Sequence, residues 1–164
     1  MATVLTIDPG LTGTGLAVWD AGRWQRELCL PISVQNLYGG NQRGYVERAS
    51  HLADAVARIA EEGAAAEAYL EYPAIFSSSA RGYAAAVRGD IVKLSYFVGV
   101  LSRALNERGT STILVTVEVW KGQLSKPAVE ARIRRLLPEI DSLKVKSHSW
   151  DAVGIGLWRQ GHFR

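Results

Sequence analysis

Residues 4–15 read Val4-Leu5-Thr6-Ile7-Asp8-Pro9-Gly10-Leu11-Thr12-Gly13-Thr14-Gly15, and the fold turns on them. Val4 to Ile7 is a short β-branched run, the pattern of a buried strand, and it stops at Asp8. Pro9-Gly10 turns the chain sharply and leaves the Asp8 carboxylate projecting from the strand end. Thr14 to Trp19 then returns as a second strand. In open α/β sheets, ligands gather at the carboxyl ends of strands. The turn has two chemical readings and one bland one. Asp8 holds a divalent cation, or the glycines cradle a nucleotide phosphate, or the segment is a polar hairpin with a surface aspartate.

Working outward, Asp20-Ala21-Gly22 is a hairpin signal, so Trp24 to Leu30 is expected as a third antiparallel strand. A polar, glycine-rich loop is expected from Pro31 to Gly44. From Tyr45 the period changes. Tyr45, Ala49, Leu52, Val56 and Ile59 recur at helical spacing, and Gly63 closes the segment. Ala66 to Glu71 reads as a strand stopped by Pro73. Ser77-Ser78-Ser79 offers a helix start, and Val87, Ile91, Leu94, Val98, Leu101 and Leu105 form a long stripe ended by Gly109. Val92, Tyr96 and Val100 make a second apolar side of that helix. Such an element is either central in a core or half in an interface. Ser111 to Val117 is another strand. Ser125 and Pro127 begin a helix bearing Val129, Ile133, Leu136 and Leu137. A last helix runs from Ser147 to Arg159 with Trp150, Val153, Leu157 and Trp158 as its apolar residues. Three strands followed by strands alternating with helices predict an α/β fold, a mixed sheet with helices on both faces. No repeat, linker or low-complexity segment interrupts residues 1–164, so one domain is expected.

The chain has 164 residues, 48% of them hydrophobic and 21% charged, enough for a core without disulfides or a structural metal. Its one cysteine, Cys29, cannot form an internal disulfide, and a cysteine-type zinc cluster is excluded by count. Cys29 reads as a reduced core residue of a cytosolic protein. There is no signal-peptide pattern and no apolar run long enough to cross a bilayer, so a cytoplasmic location without a membrane partner is expected. The net charge is +3. The excess concentrates in Lys121, Lys126, Arg132, Arg134, Arg135, Lys144 and Lys146, against Glu130, Glu139 and Asp141. Such a patch permits nucleic-acid binding and equally fits a solvated surface.

Glu71 also ends a strand, again just before a proline. If its strand lies parallel to and beside the first, about 5 Å away, two carboxylates converge at one sheet edge. They repel each other unless a cation lies between them. His148-Ser149-Trp150-Asp151 opens the last helix, and positions three apart share a helix face, so His148 and Asp151 point the same way. His51 and His162 read as ordinary surface or capping residues. Three carboxylates and an imidazole suit Mg²⁺ or Mn²⁺ rather than a closed zinc site. Two such ions about 4 Å apart activate water and stabilise the leaving oxygen in phosphoryl displacement.

The segments IDPGLTGTG, YLEYP and HSWDAVGIG, in this order, resemble the motifs of the RuvC-type Holliday-junction resolvases of the RNase H-like superfamily. The resemblance spans nearly the whole chain. It implies an RNase H-like fold with a five-stranded mixed sheet flanked by helices on both faces. It implies a homodimer formed through the helix of residues 87–107, and resolution of four-way DNA junctions by paired two-metal-ion hydrolysis. It assigns metal binding and catalysis to Asp8, Glu71, His148 and Asp151. VWKGQLSK resembles the family segment of basic phosphate contacts, with Lys121 and Lys126 at the matching positions; their bland reading is surface lysines. Arg81, Arg88 and Lys93 flank the glutamate loop and the long helix and are expected to line a DNA channel. The family places an aromatic three residues after the glutamate. Here Tyr72 follows at once and Phe76 comes five residues on, so stacking by either and plain packing both stay open. Alternatives are a flap or RNA-strand nuclease on the same fold, a non-catalytic junction-binding module, and a sugar-kinase or actin-like ATPase. The last resembles two such domains around a cleft, and this chain has length for one.

Overall fold

The computed structural model describes residues 2–10, 12–20, 31–38, 40, 44–73, 84 and 88–163. The strands are β1 (Thr3–Asp8), β2 (Gly13–Asp20), β3 (Pro31–Tyr38), β4 (Ala65–Tyr72) and β5 (Ser111–Thr116). The helices are α1 (Tyr45–Glu62), α2 (Asp90–Glu107), the single turn α3 (Val117–Trp120), α4 (Lys126–Leu136) and α5 (Ser147–Arg159), with a 3₁₀ turn at Pro138–Ser142. The strands form one five-stranded sheet in the order β3-β2-β1-β4-β5. β1, β2 and β3 pair antiparallel, whereas β4 pairs parallel with β1 and β5 parallel with β4. The sheet is mixed and carries helices on both faces, as the segment order predicts.

Alternation along the strands sorts their side chains between two cores. Leu5 and Ile7 of β1, Leu16 and Val18 of β2, and Ala68 and Leu70 of β4 pack with α1 and α2. Val4, Ala17, Trp19 and Tyr69 pack instead with α4 and α5. Asp8 shares the parity of Val4 and Thr6, and Glu71 that of Tyr69. Both acids therefore belong to the α5 face. Ile7 pairs with Leu70, so Asp8 and Glu71 are the next residues in register on neighbouring parallel strands.

α5 sits directly on the sheet. Buried Thr6 Oγ1 donates to the Ala152 carbonyl at 2.7 Å and accepts from Trp19 Nε1 at 2.8 Å. Ser149 Oγ donates to the Gln35 carbonyl at 2.7 Å. A Cβ on Gly15 would collide with the backbone of His148 and Ser149, and one on Gly156 with the Trp19 indole. Gly15 thus serves to seat a helix, and needs no phosphate to explain it.

The third strand differs from expectation. Pro31–Tyr38 is a strand where a loop is expected. It is an edge strand, where a leading proline is tolerated and half-buried polar residues such as Ser33 and Gln35 dilute the alternation. The expected strand over Trp24 to Leu30, Cys29 and the Ala21-Gly22 turn lie outside the described residues, as do Val87 and the Ser77-Ser78-Ser79 helix start. Val117 opens α3 instead of ending β5. The bounds of α1 and α5 fall where periodicity and capping put them. Among the described residues, no helix is long and apolar enough to cross a membrane.

Candidate active site

Both strand-end acids project toward the first turn of α5, and the four sequence-selected residues meet there. Asp8, Glu71, His148 and Asp151 line one recess of about 470 Å³, together with Pro9, Gly10 and Lys126. Asp90, Ile91 and Leu94 of α2 form its far wall. Asp8 is 6% exposed and Asp151 9%.

His148 Nδ1 and Asp8 Oδ2 share a hydrogen bond of 2.7 Å. Trp120 Nε1 donates to Glu71 Oε2 at 2.9 Å. Lys126 Nζ donates to Ser147 Oγ at 2.8 Å and to Asp151 Oδ2 at 3.4 Å. Lys121 Nζ stands 3.9 Å from Asp151 Oδ1, an oxygen that is buried and accepts no hydrogen bond.

These surroundings displace the titrations. Burial pushes the Asp8 carboxyl up, and the hydrogen bond and charge of His148 oppose it. Burial, followed by the neighbouring Asp8 charge, pushes Glu71 up to about 8, with the Trp120 hydrogen bond opposing. The His148 imidazole is raised by its hydrogen bond to Asp8, against burial. Asp8 and Asp151 are buried and Glu71 is half-buried, the Asp8 charge helps to raise Glu71, and Asp151 keeps one orphaned oxygen; oxygen donors so placed suit a hard divalent cation. Among the described residues, no three of these side chains are gathered as a ready-made coordination shell. Lys126 supplies counter-charge in this arrangement, and His148 adds to it when protonated.

The remaining expected residues are less tightly grouped. Lys121 and Lys126 stand 3.9 and 3.4 Å from the Asp151 carboxylate. Arg88 is exposed and pairs with Asp90 at 2.9 Å, which puts it at the rim. Lys93 is half-buried on α2. Tyr72 is not brought to the acids. It lines a separate groove of about 660 Å³ with Val98 and Leu114, on the α2 side of the sheet. Arg81 and Phe76 lie outside the described residues. Sequence reasoning missed Asp90 and Trp120. Asp90, next to Gly89 at the start of α2, carries only a faint local signal, and Trp120 carries none, because its partner is 49 residues away.

The chain is similar to the solved structure of Thermus thermophilus RuvC, with a TM-score of 0.71 at 20% identity, covering 98% of this chain and 97% of that one. It is similar to T. thermophilus RuvC in complex with Holliday junction substrate, with a TM-score of 0.68 at 20% identity, covering 96% and 92%. It is also similar to Fowlpox virus resolvase in complex with substrate Holliday junction DNA, with a TM-score of 0.65 at 11% identity, covering 96% and 98%. These likenesses show the RNase H-like fold of the RuvC type. No protein-family model matches the chain. No characterised protein matches it by sequence.

Proposed function

We propose that this chain is a divalent-metal-dependent endonuclease that resolves four-way DNA junctions as a homodimer. One observation carries the reading: Asp8, Glu71, His148 and Asp151, from three separate stretches of sequence, converge on one recess at the carboxyl ends of β1 and β4. They do so on a fold shared with structures solved on Holliday-junction DNA.

Asp8, Glu71 and Asp151, with His148, would hold Mg²⁺ or Mn²⁺, two ions if the family resemblance carries over, and these would activate water and stabilise the leaving oxygen of a phosphodiester. Asp8 and Glu71 supply anionic oxygens from rigid strand ends, and Asp151 adds its unbonded Oδ1. Lys121 and Lys126 hold the approaching phosphate once the charge of Asp151 is met by a cation. Arg88 and Lys93 extend the positive rim along α2, with Arg81 and Phe76 assigned to the same strand path. Such contacts make binding strongly salt-dependent.

The dimer rests on α2. Val92 and Tyr96 of α2 are 72% and 41% exposed and Leu114 of β5 is 51% exposed, apolar surface that a single copy leaves in water. A second copy covering it gives two sites for paired nicks, and Tyr72, in the groove beside Leu114, belongs to this surface rather than to the recess.

The test is a synthetic four-way junction with Mg²⁺ or Mn²⁺, alongside the oligomeric state in solution. Wild-type protein is expected to cut two opposed strands, and Glu71→Gln to bind the junction without cutting it. Cleavage by Glu71→Gln at the wild-type rate, or cleavage in excess chelator, overturns the site. A monomer that trims flaps or RNA strands in preference to junctions redirects the substrate assignment.

A further inference from the structure

The segment after β5 makes one helical turn, and that turn carries Trp120 back beneath the end of β4. The indole is 1% exposed. Its N–H edge donates to Glu71 Oε2 at 2.9 Å. Its six-membered ring lies against the backbone of α5. A Cβ on Gly154 would come within 2.5 Å of Trp120 Cζ3 and 3.1 Å of Cη2, so a glycine there is what admits the ring. Phe163 closes the site at a centroid distance of 6.0 Å. The next residue, Lys121, places its ammonium 5.2 Å from the ring centroid and 3.9 Å from Asp151 Oδ1. The indole is thus wedged between the strand that carries Glu71 and the helix that carries His148 and Asp151.

We propose that Trp120 is a positioning residue for the metal site: its indole N–H orients the Glu71 carboxylate while its ring sets the spacing between β4 and α5. The inference rests on the metal-site reading above and goes beyond it. A buried carboxylate free to rotate presents its oxygens in several directions, and a cation must select one at a cost in affinity. A donor held by a rigid, fully packed ring removes that freedom in advance. A nearby packing residue without a donor would keep the spacing and lose the orientation. At Glu71 the β4 backbone pairs with Val115 of β5, and the hydrogen bond from Trp120 comes from outside the strand.

The two roles separate experimentally. Trp120→Phe removes the N–H and part of the ring. Benzothienylalanine placed at position 120 keeps the bicyclic shape and replaces only the N–H by sulfur. Mn²⁺ affinity of the full chain is read from the free-ion electron paramagnetic resonance signal, with Asp8→Asn as the control that removes a ligand. Thermal unfolding in chelator checks the fold. Both position-120 variants are expected to weaken Mn²⁺ binding by about tenfold or more, with the benzothienyl protein melting like wild type. Should the phenylalanine variant fail to fold, the isosteric one still decides. Wild-type Mn²⁺ affinity in the benzothienyl protein overturns the orienting role and leaves the metal site standing. Wild-type chain that binds Mn²⁺ no better than Asp8→Asn overturns the metal site and this inference together.

Discussion

The two faces of the sheet are built from the same strands and have opposite characters. Leu5, Ile7, Leu16 and Leu70 meet α1 and α2 in a largely apolar core. One residue along each strand, Thr6, Asp8, Tyr69 and Glu71 face the α3–α5 side, where side-chain hydrogen bonds run through buried space. The first face gains from transfer of apolar surface out of water. The second holds acids, and burial first, then the charges of neighbouring carboxylates, raise Asp8 and Glu71. The comparison teaches a division of labour: one face supplies stability, so that the other can hold charged groups in a low-dielectric setting where a cation is wanted.

The division can be broken where it is strongest. Leu101 of α2 is fully buried in the apolar core. Leu101→Ala is expected to destabilise the fold by about 2–5 kcal/mol in urea unfolding. A loss below about 1 kcal/mol would mean the core collapses around the cavity and the apolar face is not the main support.

The acidic face has its own signature in pH. Glu71 rises from an ordinary value of 4.5 to about 8 in the folded chain, and Asp8 and His148 also move upward. The folded state then binds more protons than the unfolded one. Stability of the metal-free protein is therefore greatest near or below pH 4.5 on this account and falls as pH rises toward 8, by a few kcal/mol. Mg²⁺ binds only the folded, ionised site and should restore most of the loss at pH 8. Denaturant midpoints that stay level between pH 5 and 8 in chelator would show that Asp8 and Glu71 are not confined together.

A smaller effect sharpens the contrast between the faces. Thr6→Val keeps the shape but leaves the Trp19 N–H without its acceptor. It is expected to cost about 1–3 kcal/mol, because Thr6 joins two buried partners. A neutral outcome would mean that α5 is held by its packing on Gly15 and by Trp19 against Gly156, without the hydrogen bonds of Thr6.

Local signals carried much of this molecule. The apolar run of β1 ending at Asp8-Pro9, the heptad-like stripe of α1 closed by Gly63, and the bounds of α5 were readable because each depends on near neighbours in sequence. β3 was not readable as a strand, because an edge strand buries little and needs little alternation. Asp90 lies inside the helix expected from Ser77-Ser78-Ser79 onward and its near neighbours hardly mark it; only the tertiary position of α2 brings it to the wall of the recess.

By itself, the sequence determined which acids stand at strand ends, which histidine shares a helix face with an aspartate, and that the whole set resembles a resolvase. Only the tertiary structure decided that β4 lies beside β1, that both acids have the parity of the α5 face, and that Trp120 reaches Glu71. The reason is physical. Periodicity and turn chemistry act over a few residues, whereas these contacts join positions 49 to 140 residues apart. No local pattern specifies such pairs; the packing of α5 on Gly15, and of Trp120 against Gly154 of α5, brings them together.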